Sequence, residues 1–65
     1  ERPMVWFNLA AARAMASSKK EAIAALRKSI ELGFKDRELL ASDERFASIR
    51  STPEYAGVIQ ALGGK

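Results

Sequence analysis

The sequence predicts an all-α fold, on three observations. Apolar residues recur at three- and four-residue spacing over two long stretches, no stretch alternates apolar with polar like a half-buried strand, and five helix-start signals divide the 65 residues. With 48% hydrophobic and 29% charged residues the chain has the composition of a folding sequence rather than a disordered one, and its length allows one small domain. It contains no coiled-coil heptad and no low-complexity linker.

The first predicted helix covers residues 4–16, M-V-W-F-N-L-A-A-A-R-A-M-A, which lacks Gly and Pro and follows Pro3, a residue tolerated at a helix start. At helical spacing Trp6, Leu9 and Ala10 share one face with Arg13, while Met4, Phe7, Ala11 and Met15 line nearly the opposite face. Both faces are apolar. Such a helix is sandwiched between neighbours, or its second face is meant for something outside the chain.

Ser17-Ser18 interrupts the pattern, and Ser18 with Glu21 reads as a capping box for a second helix over 19–32. Ala22, Ile23, Leu26, Ser29 and Ile30 form its apolar stripe, with Lys20, Glu21, Arg27, Lys28 and Glu31 pointing away. Gly33 sits where a left-handed C-cap suits glycine. So short a turn makes the two helices an antiparallel hairpin.

Three shorter pieces follow, headed by Asp36 (37–41), Asp43 (44–50) and Thr52-Pro53 (54–62). Leu39, Leu40, Phe46, Ile49, Tyr55, Val58, Ile59 and Leu62 supply their packing faces, and Gly63-Gly64-Lys65 reads as a fraying tail. The expected organisation is one domain, 1–65, with a hairpin over 4–34, capping helices over 35–62 and a tail over 63–65.

The chain has neither Cys nor His, which removes disulfides, thiolate and imidazole metal ligands, and His-activated nucleophiles. Its grouped carboxylates, Glu38, Asp43 and Glu44, sit at helix starts, where they serve the backbone and the helix dipole. No enzyme activity, cofactor or metal is therefore expected. Eleven basic residues stand against eight acidic ones, a net charge of +3. The densest basic pairs, Lys19-Lys20 and Arg27-Lys28, are flanked by Glu21 or Glu31, a mixed solvated face rather than a basic stripe. A small basic helical nucleic-acid-binding protein is accordingly the second functional reading.

No run reaches the ~20 apolar residues of a membrane span. Arg2, residues 4–12 and Ala14-Met15-Ala16 have the outline of a signal peptide, but Asn8 and Arg13 interrupt it. A soluble protein is expected, with the compartment open between cytoplasm and periplasm.

Trp6-x2-Leu9-Ala10, then Ala22-x3-Leu26, then Phe34, keep a spacing that resembles the tetratricopeptide repeat over about 3–34. The wording W-F-N-L-A, E-A-I and I-E-L is also similar to the family's. In physical terms Trp6 and Leu9 would fill the seam between the helices, Ala10 would keep it close, and Ala22 would sit opposite with Leu26 beneath. Arg13 stands where the family prefers Tyr, Ser17-Ser18 where it uses a Gly-acidic turn, and Phe34 where Pro ends the repeat.

The second half, L-L-A-S-D-E-R-F-A-S-I-R-S-T-P-E-Y, is similar to the irregular tail after the last repeat in bacterial members. There Phe46, Ile49 and Tyr55 would cover the open end of the stack. The resemblance implies a non-catalytic solenoid scaffold for protein binding or assembly, the C-terminal part of a larger bacterial protein. Its first helix would line a groove for a peptide or a partner's helix, at Met4, Phe7, Asn8, Ala11 and Met15. Asn8 stands at a position of the family's carboxylate clamp, but Phe7 and Ala11 replace the companion cations, so groove lining or interhelix hydrogen bonding ranks above a clamp. The implied partners are another protein or peptide, preceding repeats of the same chain packed on Met4, Phe7 and Met15, or a second copy associating through that face.

Overall fold

A computed structural model describes residues 2–63, and they contain helices and no strand. Helix α1 spans Pro3–Met15, α2 Lys19–Glu31 and α3 Arg37–Ser42; a 3-10 helix covers Glu44–Ile49, and α4 runs Pro53–Gly63. Every predicted helical segment is present within a residue or so of its expected bounds. Of the expected tail, Gly63 is the last residue of α4, and Gly64 and Lys65 lie outside the described residues.

Both long helices end by the same device. The Ser18 N–H donates to the Arg13 carbonyl at 2.8 Å and the Ser17 N–H to that of Ala14 at 3.0 Å; the Phe34 and Gly33 N–H groups do the same for Ser29 and Ile30 at 2.9 and 3.0 Å. These are Schellman endings, which need a left-handed residue just past the helix. Gly33 meets the need at φ 115°, whereas Ser17 is forced there at φ 63°. The expected Ser18–Glu21 capping box is absent, since the Ser18 side chain makes no cap bond. The reason is that the Ser18 N–H, which Glu21 would have accepted, is already committed to Arg13. Glu21 instead pairs with Arg13 at 3.4 Å.

That pair joins the end of α1 to the start of α2, and Lys28 near the end of α2 lies over Trp6 near the start of α1. The hairpin is thus antiparallel. By helical spacing Ala10 and Ala14 share a face of α1, and Ala22, Ala25 and Ser29 a face of α2; all are buried, so small side chains let the backbones approach. The Ser29 hydroxyl is satisfied in this setting by donating to the Leu26 carbonyl at 2.7 Å. Leu9 does not fill the seam as expected, being 37% exposed, and Trp6 is only half-buried at its rim.

The C-terminal elements cover the other side of α1. Phe7 is fully buried, stacked on Phe34 with ring centroids 4.7 Å apart and tilted against Phe46 at 5.3 Å. The Ser48 hydroxyl donates to the Ala14 carbonyl at 3.1 Å. The short helix expected over 44–50 is a 3-10 helix, whose three residues per turn put Phe46 and Ile49 on one buried face. α4 packs on α2, burying Tyr55 and Val58.

Side chains fix each short element. Asp36 accepts from the Leu39 N–H at 3.0 Å and Asp43 from the Arg45 N–H at 3.0 Å. Thr52 donates to the Ile49 carbonyl at 2.7 Å and accepts from the Tyr55 N–H at 3.3 Å. The Arg50 guanidinium donates to the Leu40 and Asp43 carbonyls, closing the end of α3.

Replacing Ser17 by Gly removes the left-handed strain and is expected to stabilise the fold by about 0.5 kcal/mol, read as a rise in melting temperature; an unchanged or lower value argues against the Schellman geometry. The Asp43 carboxyl is held below its ordinary 3.8, first by the hydrogen bond from the Arg45 side chain and then by the Arg45 backbone amide and the charges of Arg45 and Arg50, with burial opposing. Its stabilisation is present above the unfolded value and is lost as pH falls through the lowered one. Asp43→Ala should cost about 1 kcal/mol at neutral pH. That difference should shrink in acid, and one independent of pH would contradict the assignment.

Candidate protein-interaction surface

The residues expected to line a groove do not share an open face. Phe7 and Ala11 are fully buried on the side of α1 against which the 3-10 helix packs, with Phe46 on Phe7 and Ser48 hydrogen-bonded to Ala14. Met4, Asn8 and Met15 remain exposed. The signature residues divide likewise: Ala10, Ala22 and Leu26 are core, whereas Trp6 and Leu9 reach the surface.

The open apolar surface lies on the outer side of the hairpin. Trp6, Leu9 and Arg13 of α1 face Glu21, Ala24, Ala25 and Lys28 of α2 across a shallow groove of about 280 Å³. A second depression of about 290 Å³, lined by Arg2, Val5, Trp6 and Leu9, adjoins it through the shared Trp6 and Leu9. Val5 is 60% exposed. The Lys28 ammonium stands 5.9 Å from the Trp6 ring centroid, a cation–π distance that holds the indole against the α2 side.

The sequence pointed to Trp6 and Leu9 as seam residues and passed over Val5 and Ala24. Their signal was present, since Val5, Leu9 and Arg13 form an i, i+4, i+8 row. An α1 apolar all round cannot show which of its sides its own chain will cover.

The carboxylates near one another in sequence are engaged or apart. Both Asp43 oxygens meet the Arg45 guanidinium, at 3.0 and 2.7 Å, while Glu38 and Glu44 are exposed in first turns. Among the described residues no group of His, Cys, Asp or Glu is placed to hold a metal ion, and no helix is long and apolar enough to cross a membrane.

The two sides of α1 should respond oppositely to polar substitution. Val5→Ser, on the open face and 60% exposed, should change stability by less than ~1 kcal/mol. Phe7→Ser should cost ~3–5 kcal/mol or abolish folding, by leaving a cavity between Phe34 and Phe46. Equal losses in thermal melts would contradict the assignment of covered and open faces. No family model matches the chain, and neither the curated proteins nor the solved structures contain a match to it.

Proposed function

We propose that this chain is a protein–protein interaction or assembly module, a tetratricopeptide-like hairpin with a helical cap. One observation carries the reading: Val5, Trp6 and Leu9 form an open apolar face on α1, which Trp6 and Leu9 continue to the edge of α2, while the Phe7 side of α1 is packed by the chain itself. Contiguous exposed apolar surface rimmed by polar groups marks a binding site, because leaving it in water forgoes about 25 cal/mol per Å² of burial. The small residues buried along the hairpin, Ala10 and Ala22 among them, agree with the tetratricopeptide-like register. The partner docks on the Trp6–Leu9 side rather than on the Phe7 side, and it is another protein, a peptide, or a preceding repeat of the same polypeptide.

Site-specific photocrosslinking in the source cell tests this. A photoreactive residue at position 5 or 9 is expected to give discrete protein adducts, and one at the exposed Glu44 to give none. Adducts at 44 alone, or at no position, would remove the reading.

A further inference from the structure

The border of this open face selects among occupants. Among the described residues, three cations, Arg2, Arg13 and Lys28, and one carboxylate, Glu21, stand around the apolar centre. Three less one leaves this surface with two of the chain's three net positive charges. Glu21 lies 3.4 Å from Arg13 and is already engaged, so among the described residues Arg2 and Lys28 carry the positive charge on this border that is left for an incoming anion.

A second copy is disfavoured, because an isologous dimer would bring two net-positive faces together. Nucleic acid is disfavoured as well, since a phosphate backbone would lie across Val5 and Leu9, which offer it no donor. The shape is that of a helix seat. Val5, Leu9 and Arg13 form a straight i±4 ridge about 12 Å long, at 1.5 Å per residue, beside the parallel edge of α2.

We propose that this face docks an amphipathic helix of another protein, whose apolar stripe is bordered by Asp or Glu. The proposal rests on the interaction reading above and adds the partner's chemistry to it. The partner's apolar side chains cover Trp6 and Leu9 while its carboxylates reach Arg2 and Lys28.

Trp6 is the only tryptophan of the chain, so its emission reports directly on the seat. The probes are two helical peptides of about 18 residues with the same leucine stripe, one bordered by Glu and the other by Gln. The Glu peptide is expected to shift Trp6 emission to the blue saturably and to bind about fivefold more tightly than the Gln peptide, with salt erasing the difference. The double variant Arg2→Glu, Lys28→Glu should reverse the preference, its melting temperature falling by no more than the few degrees that loss of the Lys28–Trp6 contact accounts for.

Equal affinity for both peptides overturns the acidic assignment and leaves the interaction reading standing. A blue shift that grows with protein concentration alone, with a dimer in sedimentation, overturns it in favour of a second copy. A stronger shift with duplex DNA or anionic vesicles overturns it in favour of those surfaces. If neither peptide binds while crosslinks at 5 and 9 persist, the helical partner is wrong; if the crosslinks also fail, the interaction reading falls with it.

Discussion

The Phe7 ring stacks on Phe34 at 4.7 Å and meets Phe46 at 5.3 Å, and by those two contacts it joins the first helix, the segment after the second and the 3-10 helix. The rest of the structure depends on this junction. In a chain of 65 residues no second core can compensate, and full burial of one Phe contributes roughly 1.5–3 kcal/mol, with aromatic pairing adding about 0.5–1.5 kcal/mol per contact. Because the 3-10 helix is spent on covering Phe7, no described element of the chain packs over the outer side of the hairpin. The closed face and the open one follow from the same packing decision.

Residues whose effect is local were legible in the sequence. Asp36, Asp43 and Thr52-Pro53 start the elements they were read to start, and Gly33 adopts the left-handed conformation that its place after α2 demands. The Ser18–Glu21 pair fits the capping grammar equally well and fails, because the Ser18 N–H serves the preceding helix first. With only three residues between the helices, the Ser18 N–H cannot finish α1 and open α2 by a capping box as well. Local grammar is dependable where elements are spaced apart and ambiguous where they share residues.

The faces of α1 were not legible, and the reason is long-range. Phe7, Ala11, Trp6 and Leu9 are all apolar, so periodicity marks a helix with two usable sides and stops there. Which side the chain covers is decided by Phe46 and Ser48, whose approach depends on the turns at 32–36 and on the clamp of Arg50 onto the end of α3. Spacing therefore found the helices and the seam alanines, and tertiary packing then exchanged the assigned roles of Phe7 and Leu9.

The reach from Phe7 to Phe46 also sets a sequence in time. The hairpin leaves the ribosome before the residues that complete the Phe7 cluster, and until Phe46 is available the ring has only Phe34 against it. Of the strip Met4, Phe7, Ala11 and Met15 that helical spacing draws on α1, the middle is therefore withdrawn from water only when the last third of the chain is in place.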